Sequence, residues 1–571
     1  MSVNVCDLYT ALGENRQGAP WQEYPRPQLR RSSFLCLNGA WDFAAKKGKQ
    51  FPREYSREIL VPFCPESLLS GIHAHFGEDT FLFYQKTVTL PENFLKGRLL
   101  LHFGAVDQTV EVFVNGRIVG KHTGGYNAFF LDITDDCARE MTLTLRVKDD
   151  LRDKTLPYGK QTLKRGGMWY TPVSGVWQSV WMESVPEKHI EDLKIDVTLE
   201  QATVTITPAL NGMARFEGKE LPIVDGKVLF RPENPEAWSP ENPKLYPFTL
   251  TCGEDSVHSY FALRTLETKV VDGIPRLCLN GKPYFFHGVL DQGYWPDGIY
   301  TPASEASFAQ DILEMKKLGF NTLRKHIKVE PEAFYYACDR LGMIVFQDMV
   351  NNSDYSFLRD TALPTIGIQK KKDIRCHKNL ASRKAFYEGM DATVNQLKNH
   401  PCICYWTIFN EGWGQFCGDA AYERLKKADS SRFIDTTSGW FRGTNTDVES
   451  LHIYFGSFKK LKAEQKPLVL SECGGYCYPV EDHLFCPTKS YGYRKCKNLD
   501  DFQSDLESLY RDKILPAVRN GLCACILTQI SDVEEEINGL LTYDRKVCKA
   551  DSQNMLHLAM ELRKTMEEHH G

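Results

Sequence analysis

From about residue 267 to the end of the chain, short apolar runs alternate with stretches of helical spacing, and this alternation is the feature that most restricts the fold. The runs are PYFFHGVL (283–290), NTLRKH (321–326), MIVFQDM (343–349), CICYWTIFN (402–410), FIDTTSGW (433–440), ESLHIY (449–454), PLVLSEC (467–473) and CACILTQISD (523–532). Between the first two, SEASFAQDILEMKKLGF sets Phe308, Ile312 and Met315 on one helical face and stops at Gly319. Between the second and third, PEAFYYACDRLG reads as another helix. Strand, helix and strand in succession make a parallel sheet, because a parallel neighbour can be reached only by a crossover. Eight such strands in about 300 residues close most economically as a (β/α)8 TIM barrel. The carboxyl ends of its strands then point into one shared mouth.

Upstream the texture differs. From about Trp21 to Val185 short alternating segments are broken by turn residues, as in LNGAWDFA and TVEVFVNGRIVG. In the second, Val110, Val112 and Val114 share a face and Asn115-Gly116 supplies a hairpin turn. This predicts an all-β sandwich over 1–185. The aromatic-rich GMWYTPVSGVWQSVWME (167–183) reads as core first and as a sugar-stacking surface second. From Pro186 to Thr268 a second alternating, proline-punctuated stretch has the length of an immunoglobulin-like β-sandwich. The expected division is therefore 1–185, 186–268 and 269–571, with the barrel last.

At 571 residues the chain is too long for one core, and a formal net charge of -5 gives no electrostatic case for nucleic acid. The first twenty residues lack the apolar centre of a secretion signal, and no run approaches the roughly 20 apolar residues of a membrane span. The cytoplasm is the expected location and no membrane partner is expected. The eighteen cysteines are scattered, and Cys402, Cys404, Cys523 and Cys525 lie inside apolar runs, so they read as reduced, buried thiols. Their spacing forms no paired zinc pattern.

Two strand runs end in a glutamate: Asn410-Glu411 closes the fourth, and Glu472 lies near the end of the seventh. A lone glutamate there reads as a helix cap or an ion pair. Two at opposed strand ends meet the requirement of retaining glycoside hydrolysis, in which one carboxylate attacks the anomeric carbon and the other protonates the leaving oxygen. A carboxylate separation of about 5–5.5 Å would mark that mechanism.

At these residues the chain resembles glycoside hydrolase family 2, which includes β-galactosidases, β-glucuronidases and β-mannosidases. The resemblance runs through YPRPQLRR, LNGAWDFA, VPFCPESLLSG, the VFVNG hairpin, GVWQSVWME, WSPENPKLY, NGKPYFFHGV and LGFNTLRKH, besides the two glutamate segments. It implies a jelly-roll β-sandwich, an immunoglobulin-like domain and a catalytic barrel, in an exo-acting, retaining enzyme that acts on a small carbohydrate and belongs to a family whose members often form oligomers; the mechanism demands no cofactor or metal. By the same resemblance Glu411 is the acid/base, Glu472 the nucleophile, Asn410 the amide for the sugar 2-hydroxyl, and Tyr454 the tyrosine that orients Glu472. Arg324 and His326 end strand two as the family's arginine and histidine do, with His326 as a substrate contact, although the RKH spacing is shorter. Asp348 is the next candidate for a sugar hydroxyl and Trp440 for an apolar platform, with an ion pair or core packing as their alternatives.

Three departures bear on the sugar. β-Glucuronidases carry an Asn-x-Lys element that grips the uronate, and here that place reads Glu536-Ile537-Asn538, which should repel it. The eighth run ends on Gln529 and Asp532, where several relatives place a tryptophan. The loop LDQGYWPDG (290–298) adds Asp291 as a substrate-binding candidate, with Gln292 and Trp295 unassigned. The expectation is a β-galactosidase, with a β-glucuronide, a β-mannoside or an arabinopyranoside as the other sugars. A carbohydrate-binding protein without activity is the alternative of another class.

Overall fold

Val114 and Arg117 pair across Asn115 and Gly116, whose φ angles of 50° and 81° form the left-handed two-residue turn that matches the twist of a hairpin. Around this hairpin a computed structural model describes residues 5–363, 368, 373–439, 445–459 and 461–568. Among the described residues the amino-terminal part is a sandwich of a six-stranded and a four-stranded antiparallel sheet. Val110, Val112 and Val114 enter its core with Trp41, Phe43, Tyr84 and Leu145. Alternate residues of each strand face inward, as the period of two in the sequence requires.

The second unit packs a three-stranded sheet (Asp192–Val197, Ala202–Thr207, Lys227–Phe230) on a four-stranded one containing Tyr246–Cys252 and Asp255–Phe261. Phe216, Phe230, Phe248 and Phe261 fill the space between them. The residues next in sequence lie between this unit and the first barrel strand. Leu266–Val271, Ile274–Leu279 and Lys282–Pro283 form a small antiparallel sheet that precedes the barrel. Arg276 in it is fully buried and donates from Nη1 to the Val518 carbonyl at 2.8 Å, near the start of the last barrel strand. Alternation of side chains cannot distinguish such a sheet from the sandwich strands before it.

All eight runs become parallel barrel strands. In chain order they are Phe286–Asp291, Thr322–Lys325, Ile344–Asp348, Ile403–Asn410, Phe433–Ser438, Glu449–Ile453, Leu468–Gly474 and Leu522–Thr528. Strands one to five pair in succession, as do six to eight, strand eight closes on strand one, and strands five and six lie adjacent at the two ends of the sheet. The helix Ala306–Lys317 buries Phe308, Ile312 and Met315, and Gly319 follows it at a φ of 86°. The chain thus turns back into strand two where a glycine escapes the Cβ penalty.

The sandwich is seated on the barrel mouth. Trp177 is fully buried, lies 5.0 Å from the Tyr300 ring, and has the Lys328 ammonium over it at 5.4 Å. Tyr126 and Tyr300 share a hydroxyl hydrogen bond of 2.9 Å. One apolar cluster therefore runs from the sandwich into the barrel. All eighteen cysteines are free thiols, and Cys402, Cys404, Cys523 and Cys525 are buried among apolar neighbours. No helix among the described residues is long and apolar enough to cross a membrane.

Candidate active site

The ends of strands two, three, four, six and seven converge on one charged cluster. Glu411 follows strand four directly, and its backbone sits at a φ of 50°, in the left-handed region that costs a non-glycine residue about 1–2 kcal/mol. Its N–H donates to the Ser438 carbonyl of strand five at 2.7 Å, which ties the turn to the barrel rim. Glu472 lies where strand seven slips register against strand eight, between Leu470 and Cys473, and strand six slips beside it between Leu451 and His452. Such irregularities re-aim side chains that a regular strand would direct elsewhere.

Arg324 organises the cluster. From strand two its Nε donates to Asp348 Oδ1 at 3.0 Å, Nη1 to Glu472 Oε1 at 3.0 Å, and Nη2 to Asn410 Oδ1 at 2.8 Å. A guanidinium only donates, so the Asn410 atom facing it is the oxygen, and the amide nitrogen remains a donor on the other side. Tyr454, just beyond strand six, donates from its hydroxyl to Glu472 Oε2 and stacks on Tyr493 at 3.7 Å. His452 Nδ1 lies 2.8 Å from Glu411 Oε1 and 3.5 Å from Glu472 Oε2. One oxygen of each glutamate and this nitrogen all lie within 4.8 Å of one another.

Burial alone would push the Glu472 carboxyl up. The imidazole of His452, the guanidinium of Arg324, the imidazole of His326 and the hydrogen bond from Tyr454 outweigh it and hold Glu472 well below the usual carboxylate range. Burial likewise opposes ionisation of Asp348, and Arg324 and His326 together hold it down. The Tyr454 phenol is pushed well up, first by burial and then by the charge of Glu472, so it remains a donor. His326 Nδ1 lies 2.7 Å from Asp348 Oδ2; burial, aided by the ammonium of Lys160, keeps the imidazole pKa down. A neutral ring donating to Asp348 leaves Nε2 as an acceptor.

One oxygen of Glu411 lies within 4.8 Å of one of Glu472, closer than the roughly 6.5–9.5 Å an inverting glycosidase needs to admit water behind the sugar. Glu411, His452 and Glu472 are also spaced as ligands of a divalent cation would be. Glu472, however, already faces a full positive charge at Oε1, and a second cation would be repelled by Arg324.

Glu411, Glu472, Asn410, Tyr454, Arg324, His326 and Asp348 are all brought together in this way. Asp291 is not. In strand one it pairs in register with Lys325, whose ammonium it holds at 2.6 Å, and it accepts the Gly293 N–H at 2.8 Å. Side chains alternate across a strand, so Asp291 and Lys325 lie on the face opposite Arg324 and form a buried ion pair. Trp295 of the same loop packs in the core under Arg545, and Asp532 is paired with Lys549 at 2.7 Å. Trp440 lies outside the described residues.

Several residues at the mouth went unassigned in the sequence. His452 is two positions before Tyr454, so strand alternation alone puts both on one face, and that signal was available. Trp413, from the glycine-rich loop after Glu411, stacks on Trp169 of the sandwich at 5.3 Å and meets Tyr355 edge-on at 5.2 Å. Trp177 and Trp181 of the same aromatic-rich stretch are core, as expected. Lys160 joins Trp169 from the sandwich, and no local pattern announces that either reaches the barrel.

A sandwich seated on a barrel whose strand ends carry paired carboxylates defines a class, the multi-domain glycosidases. The family models for the sugar binding domain of glycosyl hydrolases family 2 and for its TIM barrel domain match residues 75–186 and 269–547. The chain belongs to glycoside hydrolase family 2. It is 26% identical over 340 residues to a putative β-glucuronidase of Formosa agariphila, covering 54% of this chain and 37% of that one. To a β-galactosidase of Thermoanaerobacter pseudethanolicus it is 24% identical over 368 residues, covering 59% and 46%. The chain thus matches less than half the length of either relative. A β-glucuronidase structure from an uncultured Clostridium sp. superposes with a TM-score of 0.72 at 18% identity, covering 94% of this chain and 99% of that one, and shares its fold.

Proposed function

We propose that the protein removes terminal, non-reducing β-linked sugars with retention, β-galactosides foremost, by a two-glutamate double displacement. The observation that carries this reading is the pair of carboxylates, Glu411 and Glu472, drawn within 4.8 Å about His452 at the barrel mouth.

Glu472, kept ionised by Arg324 and Tyr454, attacks the anomeric carbon as the C–O bond to the aglycone breaks. Glu411 gives its proton to the leaving oxygen. A water then enters, Glu411 takes its proton, and the hydroxide attacks the anomeric carbon and frees Glu472 with the configuration restored. Asn410 donates to the sugar 2-hydroxyl, a contact that strengthens as charge develops on the ring. A binding protein has no use for two ionisable carboxylates on either side of one bond.

A β-glucuronide is the second reading, because proteins named β-glucuronidase share the fold and because Lys160 brings an ammonium to the mouth. Against it stands Glu536-Ile537-Asn538, where the Asn-x-Lys element would lie, with a glutamate at its first position and no lysine at its third. A panel of nitrophenyl β-glycosides tests the proposal. The expected result is turnover of the galactoside and its loss in Glu472→Gln. Activity on no sugar, or undiminished activity in that variant, overturns it, and preference for the glucuronide overturns the choice of sugar.

A further inference from the structure

Lys160 has no place in the mechanism above, yet it is 5% exposed, and among the described residues no hydrogen bond or ion pair reaches its ammonium. Taking an ammonium out of water costs several kcal/mol unless something compensates it. What surrounds it is the catalytic mouth. The nitrogen lies 4.8 Å from the centre of the Trp413 ring, and the carboxylates of Glu536, Glu472 and Glu411 act on it in that order of strength. It acts in turn on His326.

The segment is built to deliver this one side chain. Gly159 has a φ of 64°, and a Cβ there would stand 2.7 Å from the Tyr126 hydroxyl and 3.0 Å from the Ile327 carbonyl, next to His326. The sandwich backbone therefore lies flush on the barrel rim. Tyr158 donates from its N–H to the Asn351 carbonyl and from its hydroxyl to the Ser353 carbonyl. Gln161 donates to Asp107 and to Tyr126 and accepts the Val173 N–H. Both flanking side chains are pinned, and Lys160 between them is left over the site.

Glu536, in the loop after strand eight, is tied to this segment through Tyr170, whose N–H donates to the Lys160 carbonyl at 3.1 Å. Its Oε1 accepts from Asn538 at 2.9 Å and its Oε2 from the Tyr170 hydroxyl, so its position is held while each oxygen keeps a second lone pair. We propose that Lys160 and Glu536 are the specificity-determining pair of the sugar site, gripping hydroxyls of a neutral terminal sugar, with Lys160 donating and Glu536 accepting. The charge of Glu536 acts on the ammonium without an ion pair between them. A sugar acid would add a negative charge to a mouth that already holds Glu411, Glu472 and Glu536. This assignment rests on the glycosidase reading and names the class of sugar for the same site.

The test uses the full chain with Lys160→Met and Glu536→Gln, nitrophenyl β-galactoside and β-glucuronide, and galactose binding followed by tryptophan fluorescence. Both variants should lose at least tenfold in galactose affinity and in kcat/KM for the galactoside. Lys160→Met should keep or raise the thermal midpoint, since it removes an unpaired buried charge. A lower midpoint with unchanged galactose affinity would make Lys160 structural and overturn the proposal. So would wild-type preference for the glucuronide that Lys160→Met abolishes, because Lys160 would then anchor a carboxylate. Lysine-dependent galactose binding without turnover of any glycoside would leave this inference standing and overturn the hydrolytic one.

Discussion

Glu411 and Glu472 are the same residue type a few ångströms apart, and their neighbours divide the work between them. Glu472 receives Arg324 and Tyr454, whereas Glu411 faces His452 and the aromatic side of the mouth. Two predictions belong at this scale. Glu411→Gln should cut kcat about 10²–10⁴-fold for a glycoside with a poor leaving group, the usual range for a lost general acid. It should cut the first step far less for a nitrophenyl glycoside, whose leaving group departs as a stable anion. Steady-state and burst kinetics with the two substrates measure this, and equal losses would remove Glu411 from the acid role. Tyr454→Phe takes a hydrogen bond from the ionised form of Glu472. The Glu472 pKa then rises, and with Glu472 as the proposed nucleophile the acid limb of the kcat/KM profile should move to higher pH.

At the scale of elements, strand-end chemistry depends on departures from regular strand geometry. Strand four ends in a left-handed residue, and strands six and seven slip register at His452 and Glu472. Alternation in the sequence predicts which residues are buried but gives no sign of such slips, because they arise from how neighbouring strands meet. The sandwich contains another buried carboxyl. Glu66 accepts the Ser174 N–H at 3.1 Å and its hydroxyl at 2.5 Å, and burial pushes it up to about 8. In the unfolded chain it releases its proton near its ordinary value of 4.5, so between those values the folded state holds the extra proton. Stability from this group is present at low pH and falls as pH rises through the window, by at most about 1.4 kcal/mol per pH unit. Glu66→Gln should flatten that slope, as read from denaturant midpoints between about pH 5 and 8.

For the whole molecule, the sandwich is part of the site. Trp169 and Lys160 reach the mouth only because Trp177, Tyr126 and Gly159 seat one domain on the other. Gly159→Ala would place a methyl group against the Ile327 carbonyl in a left-handed conformation, costing about 1–2 kcal/mol for the backbone alone. The expected result is a lower thermal midpoint together with a several-fold rise in KM. A midpoint loss with unchanged KM would show that the sandwich stabilises the barrel without shaping its mouth.

The sequence by itself determined the barrel, the two sandwiches before it and the strand ends that carry Glu411 and Glu472. Periodicity and turn residues act locally and are read one segment at a time. Asp348 was legible as the end of a buried run, and Arg324 and Asn410 through the resemblance to family 2. Alternation gives the face that His452 shares with Tyr454, but its place between the two carboxylates, the turn of Asp291 away with Lys325 and the crossing of Lys160 from another domain are set by tertiary packing. Those outcomes depend on strand register and domain seating, which bring together residues up to hundreds of positions apart and leave no periodic trace in either segment.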